Sequence, residues 1–535
     1  MKAHLLFKDK DFFLDATLKS HAETLTQDLE LTTIFNAMAL GDKFVFEVSR
    51  KVILTGITDM NAILYRQEIL RDCLKNPAVL VELYALAVQT LEDSRKYYFG
   101  SFVRAGTILF TALDLLELYV EMLRKLRTIA ETNASSFDSE GFRALFSMLS
   151  AELSDDYFGV IERHLEALKF RHGVLVNAGL GQGNKGANYV LRKLEKKTKG
   201  LFQRIFGKRP PEYSFQIAER DQAGGQALSE LRERGINLVA NALAQSTEHI
   251  RDFFTMLKTE VAFYVGCLNL HNQLVGMGAG TCFPVPSSAT ERVFSFQKLY
   301  DVCLALTMKQ SIVTNDVSAD CRNLIVITGA NEGGKSTFLR SVGLAQLMMQ
   351  SGMFVPAESL SANISQGIFT HYRRKEDVTM TSGKLDEELS RMSDIVDAIT
   401  PDSMILFNES FSATNEREGS EIARHIVDAL LERRVKVFFV THFYEFSRGF
   451  FERGLPDALF LRPERKEDGA RTFRIVESAP QETSFGHDLY RSVFQGTPES
   501  QRADNGELNG NGRGHRLDPS ESEPSGETKG VLENT

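Results

Sequence analysis

The stretch LIVITGANEGGKSTFL, residues 324–339, constrains the fold more than any other: an apolar run passes into a glycine cluster and then directly into lysine, serine and threonine. Gly329 to Ser336 satisfies G-x-x-x-x-G-K-[ST]. LIVIT reads as a buried strand and STFLRSVGLAQLMMQ as a mostly apolar helix. Glycines let successive backbone N–H groups turn inward, and the helix amino terminus adds a partial positive charge. Lys335 then reaches the outer phosphates of a bound polyphosphate, and the Ser336 hydroxyl ligates magnesium. The loop made of Gly329, Ala330, Asn331, Glu332, Gly333, Gly334, Lys335, Ser336 and Thr337 is therefore predicted to cradle phosphate. A strand, loop and helix in this order belong to a parallel sheet covered by helices.

The surrounding texture agrees with an α + α/β chain. Up to about residue 275, long segments such as FTALDLLELYVEMLRKLRTIAET, from Phe110, carry apolar residues at helical spacing. After about 276 come short β-rich runs, NLIVITG, SMILFNE and RVKVFFVTH, separated by helix-length segments. The expected domains are a helical region over 1–275, an α/β domain over 276–495 and a disordered tail over 496–535. That tail is rich in Gly, Ser, Asn, Pro and Glu and cannot bury enough apolar surface to offset its ordering entropy.

Two further strand ends supply chemistry. MILFNES ends its apolar run at Asn408-Glu409, where a nucleotide hydrolase offers one acid to hold magnesium and another to align water. Here the first acid is an amide, which can accept through its carbonyl oxygen but brings no negative charge. Glu409 remains free to orient a nucleophile. KVFFVTHFYEF ends at Thr441-His442, and ligands of an open parallel sheet sit beyond the carboxyl ends of its strands. His442 is thus expected beside the same phosphates as Lys335 and Glu409.

The net charge of −9 argues against a generally basic nucleic-acid coat. One segment is the exception: Lys185 to Arg209 carries nine Lys or Arg and a single acid, Glu195. Leu191, Leu194, Leu201, Ile205 and Phe206 recur at roughly helical spacing beneath Arg192, Lys193, Lys196, Lys197, Lys199 and Arg204. Such a face suits a phosphate backbone, a membrane surface or plain solvation. Five widely spaced cysteines without a CxxC pair fit a reducing compartment. No leader-like start and no stretch of roughly 18 apolar residues is present, so a cytoplasmic protein without a membrane partner is expected.

The ordered set TGANEGGKSTFLR, FVPAESL, GIFT, TSGKLDEELSRM, LFNESFSATNEREG and VTHFYEF resembles the ATPase domain of the MutS family of DNA mismatch-repair proteins, over residues 276–495. KFVFEVSRKVILTGITDMNAILYRQEILRDCLKNP is similar to the start of that family's helical lever region. The resemblance implies an ABC-type P-loop ATPase that uses ATP and Mg2+ and acts as a homodimer. It implies Asn331 and Lys335 to Thr337 on the phosphates, Glu409 as catalytic base, His442 as phosphate sensor, and Ser382-Gly383 reaching the partner's nucleotide. It further implies a DNA-gripping clamp, which gives the basic segment, over about 185–222, a place.

The departures shape the expected function. A lever beginning near residue 30 leaves no room for the amino-terminal domains that read a mispair, and no nuclease domain or clear dimerisation helices follow the ATPase region. Asn408 replaces the family's Asp, and ESFSATN replaces a glycine-rich loop. The expectation is a slow, nucleotide-gated clamp on branched or otherwise non-standard DNA. The alternative is a nearly inactive nucleotide-gated scaffold for a protein or ribonucleoprotein partner.

Overall fold

Three- and four-residue apolar spacing produces helices through most of the first 276 residues. The computed structural model describes residues 1–97, 104–171, 173–192, 213–329, 333–374, 383–466 and 471–480. The first helices are α1 (Ala22–Asp28), α2 (Leu31–Ala39), α3 (Lys43–Thr55), α4 (Met60–Lys75) and α5 (Pro77–Arg95). They are followed by α6 (Ala105–Asn133), α7 (Glu140–Glu152), α8 (Asp155–Leu168) and α9 (Gln222–Gly276). Side-chain oxygens of Asp42, Ser139, Ser154 and Asp221 cap α3, α7, α8 and α9, each contributing about 1 kcal/mol.

The 55 residues of α9 span about 80 Å at the usual helical rise. This helix packs along α5 and α6 and against α2 and α3. Asn269 and Gln273 donate their side-chain amides to the carbonyls of Met38 (2.8 Å) and Ala37 (2.7 Å) at the end of α2. Among the described residues no helix is long and apolar enough to cross a membrane.

The first half is not wholly helical. Strands β1 (Leu175–Leu180) and β2 (Gly186–Arg192) form an antiparallel hairpin in which Val176 pairs with Leu191 and Leu175 with Arg192. This corrects the helical reading of the basic segment at Leu191 and Arg192. Their local pattern has period two: Ala187, Tyr189 and Leu191 turn inward while Val190 and Arg192 turn out. The hairpin rests on α9 at Gly235, where a Cβ would fall 2.6 Å from Val176 Cγ2. Lys193, Lys196, Lys197, Lys199 and Arg204 lie outside the described residues, as does the tail over 496–535.

From residue 285 onward strands dominate: β3 (Val285–Ser287), β4 (Phe294–Leu299), β5 (Asn315–Ser318), β6 (Leu324–Ile327), β7 (Ser359–Asn363), β8 (Ile368–Tyr372), β9 (Met404–Asn408), β10 (Lys436–Val440), β11 (Ala458–Arg465) and β12 (Arg471–Glu477). Helices α10 (Val302–Met308), α11 (Lys335–Gln350), α12 (Lys384–Ala398), α13 (Glu416–Glu432) and α14 (Tyr444–Glu452) alternate with them. A six-stranded sheet runs β12-β11-β6-β10-β9-β8, parallel except for the edge strand β12. A smaller four-stranded sheet, β3-β7-β4-β5, is mixed.

Both faces of the large sheet are covered, which is why its strands read as unbroken apolar runs. Ile325, Ile327, Met404, Leu406, Phe438 and Val440 join the core shared with the helical half. Leu324, Val326, Ile405, Phe407, Val437 and Phe439 join a second core that includes residues of α12, α13 and α14. Alternation along each strand thus divides one apolar run between two cores.

The far end of α11 is tied to the first half by backbone bonds. Ile57 N donates to Gln350 O (2.7 Å), and Gln350 returns a side-chain bond to Ile57 O (3.0 Å). The buried Arg66 donates to Ser351 O (3.3 Å) and Leu6 O (2.8 Å). Next to it Glu260 of α9, fully buried, accepts from the amides of Leu5 and Leu6.

Burial raises the Glu260 carboxyl from 4.5 to about 7, against the opposing pull of those two amides and Arg66. A carboxyl held above its unfolded value stabilises the fold fully below its ordinary range, and that contribution disappears as pH rises through about 7. Glu260→Gln retains an acceptor without the charge. Urea denaturation should find it more stable than wild type at pH 8, by on the order of 3 kcal/mol at most. The difference should close by about pH 4.

Candidate functional site

The carboxyl ends of β6, β10 and β9 meet because backbone bonds continue past the strands. Thr441 N donates to Ile327 O (3.1 Å), and Glu409 N donates to Val440 O (2.9 Å). β10 lies between β6 and β9, so the exposed His442 emerges between the glycine loop and Asn408-Glu409.

The loop's backbone requires glycine at two described positions. Gly329 has φ of 125°, and a Cβ there would sit 2.8 Å from Pro463 Cδ on β11. Gly334 has φ of 86° and forms the N-cap of α11 without any side-chain cap. The first-turn N–H groups of α11, at Ser336 and Thr337 among them, are therefore available to an anion. Gly333 is buried beside them. Ala330, Asn331, Glu332 and Ser382 lie outside the described residues.

Lys335 is buried at the start of α11, and its Nζ donates to Gly329 O at 2.6 Å, across the loop. Burial pulls its pKa down, while the Glu409 carboxylate nearby favours the charged form. An ammonium held this way is desolvated and lies against the glycine loop. Ser336 Oγ donates to Asn408 Oδ1 at 2.9 Å, bringing a hydroxyl and an amide oxygen side by side. Among the described residues no three His, Cys, Asp or Glu gather as a metal site. A magnesium ion fits this pair only with phosphate and water completing its shell, which is how that ion is usually held.

Residues 58–277 match the family described as MutS2 N-terminal domain, and residues 325–503 match MutS domain V. The DNA mismatch repair protein MutS of Leptospira interrogans (serovar copenhageni) is 33% identical over 194 residues, 36% of this chain and 22% of that protein. MutS of Thermotoga petrophila is 34% identical over 184 residues, 34% of the chain and 23% of the relative. MutS of Lactobacillus helveticus is 31% identical over 232 residues, 41% and 27% respectively. The chain thus spans roughly a quarter of the length of these relatives. It belongs to the MutS family.

Where the MutS resemblance leads one to expect a glycine-rich loop after the glutamate, a phenylalanine stands in a glycine-like conformation. Glu409 and Phe411 have φ of 55° and 64°, each costing on the order of 1–3 kcal/mol. Contacts that no local motif announces hold the turn. Ser412 Oγ donates to Glu409 O (2.7 Å), and the buried His371 of β8 bonds Ser410. Gly419 of α13 makes room for the turn, since a Cβ there would lie 2.7 Å from Phe411 O and 2.8 Å from the Phe443 ring. Phe473 of β12, 46% exposed, lies against Gly334 at the mouth of the loop and was likewise absent from the sequence-based site. Gly419→Ala should lower stability by about 1–3 kcal/mol through overpacking, read from the urea midpoint at unchanged m-value.

Proposed function

We propose that this chain is a MutS-like ATPase that binds MgATP, hydrolyses it slowly, and uses the nucleotide to close a two-armed dimeric clamp on branched or otherwise non-standard DNA. The observation that carries the reading is the convergence of Lys335, Ser336, Asn408 and Glu409 at the carboxyl edge of one parallel sheet. In this reading the loop from Gly329 to Thr337 holds the phosphates of ATP, and Ser336 with Asn408 faces the magnesium ion. Glu409 orients the attacking water, His442 senses the terminal phosphate, and Ser382 reaches the nucleotide of the partner subunit. The ABC-type P-loop domain occupies residues 276–495 and the lever and clamp occupy 1–275.

Slow turnover follows from Asn408, which offers the metal an oxygen without a charge. The amide also keeps the scaffold reading alive, in which a closed ATP-bound state serves a protein or ribonucleoprotein partner. The DNA role draws on the family and on the basic segment, of which Arg192 is exposed at the end of β2.

Lys335→Ala should weaken ATP binding by at least about tenfold, about 1.4 kcal/mol, while the protein still melts cooperatively. Equal affinity in filter binding would remove the loop from this role. Glu409→Gln should retain ATP affinity and lose roughly 10²–10⁴ in single-turnover hydrolysis, whereas Asn408→Asp should raise the rate severalfold.

The quadruple change of Lys193, Lys196, Lys197 and Lys199 to Glu should weaken DNA binding and flatten its salt dependence without altering basal turnover. Fluorescence anisotropy on linear duplex, four-way junction and single-stranded DNA checks this. Unchanged affinity and slope on all three would favour the scaffold reading.

A further inference from the structure

The turn carrying Glu409 has its anchor on the opposite side from the glycine loop. His371, at the fourth position of β8, is fully buried, and its ring stacks on Phe411 with centroids 5.2 Å apart and planes 19° from parallel. Its Nε2 lies 3.0 Å from Glu388 O, and its Nδ1 lies 2.8 Å from Ser410 Oγ. A carbonyl oxygen can only accept, so Nε2 carries the proton. The Ser410 hydroxyl then has two acceptors, His371 Nδ1 and the His371 carbonyl at 2.5 Å. Burial and the charge of Arg391 hold the imidazole down at about 4, so the ring is neutral through the physiological range.

The same ring reaches a second element. Glu388 sits on α12, and its buried carboxyl, pushed up by burial, faces the backbone of Phe411, which favours its charged form. One residue of α12 thus bonds the His371 ring through its carbonyl and sets its side chain beside Phe411. The helix begins at Lys384, immediately after Gly383. The strain at Glu409 and Phe411 and the fully buried, stacked imidazole occur at one and the same turn. Both are accounted for if the turn must be held in one place.

We propose that His371 is a positioning residue: together with Glu388 it fixes the Glu409–Ser412 turn to α12, so that the Glu409 carboxylate is held at the glycine loop and moves with that helix. This rests on the reading of Glu409 as the water-orienting base, and it extends that reading by making α12 the element to which the base responds. His371 itself touches neither nucleotide nor water in this scheme.

The test uses the full chain and two variants that attack the link from opposite sides. His371→Phe keeps ring stacking and removes both ring hydrogen bonds, and Glu388→Met removes the buried carboxyl beside Phe411 at similar length. Three quantities are measured: ATP affinity, single-turnover hydrolysis, and hydrogen–deuterium exchange over residues 409–413 and 384–388. Both variants should bind ATP within about twofold of wild type yet hydrolyse it about ten- to a hundredfold more slowly, a loss in kcat rather than KM. Exchange should accelerate in both segments together by at least about tenfold.

A merely structural histidine would lower the melting temperature without this joint acceleration. Unchanged exchange over 409–413 in a folded variant would overturn the proposal, and so would a rapidly exchanging Phe411 amide in the wild type, which needs no variant. If Glu409→Gln hydrolyses ATP like wild type, the base assignment fails on its own, and the exchange measurements still decide whether the turn is fixed to α12.

Discussion

The body of α11 has no free face, and the rest of the molecule is arranged around that fact. From Phe338 to Gln350 every side chain is buried except Arg340, which is half-buried and pairs with Glu30 and with Asp301 at 2.6 Å. On one side lie β9 and β10, on the other α3 and α10. At Gly343 the squeeze is close enough that a Cβ would stand 2.6 Å from Leu406 of β9 and 3.0 Å from Leu29. A helix packed like this cannot shift against one half without disturbing the other, since interiors of native density have little slack. Its amino terminus nevertheless opens into the glycine loop. The element that would feel phosphate is therefore the one packed between the large sheet and the helical half, and its far end is bonded to Ile57 and Arg66 of that half.

Much of this was legible in the residues, for physical reasons that differ from place to place. β6, β9 and β10 are readable because a strand buried on both faces is apolar at every position. The glycine loop is readable because its backbone tolerates few alternatives at Gly329 and Gly334. The hairpin of β1 and β2 was missed at Leu191 and Arg192: a dense run of positive charge drew attention to a helical stripe, while the two-residue alternation of GANYVLR settles the strand. The clamp on the Glu409 turn was invisible for another reason. His371 and Ser410 are 39 residues apart, and Gly419 earns its place only through the carbonyl of Phe411. Nothing periodic marks such pairings, although the absence of glycine from ESFSATN was a sign that the turn is built differently here.

That difference bears on the amide at Asn408. Among the described residues of the glycine loop and the end of β9 the charges are Lys335 and Glu409, and the hydroxyl–amide pair of Ser336 and Asn408 adds none. An aspartate at 408 would make the cluster more negative by one, favouring a bare divalent cation and opposing a polyphosphate that arrives without one. With the amide, attraction for the metal must come mainly from the phosphates it accompanies. Ser336 has a ready acceptor in Asn408 Oδ1, so this pair is satisfied without an ion, and an ion must displace a hydrogen bond to enter. Under the proposed function, a site of that kind would favour nucleotide over metal at the first encounter. In the same reading it would leave the alignment of water to geometry, and so to the strained turn that the buried His371 ring bonds from behind.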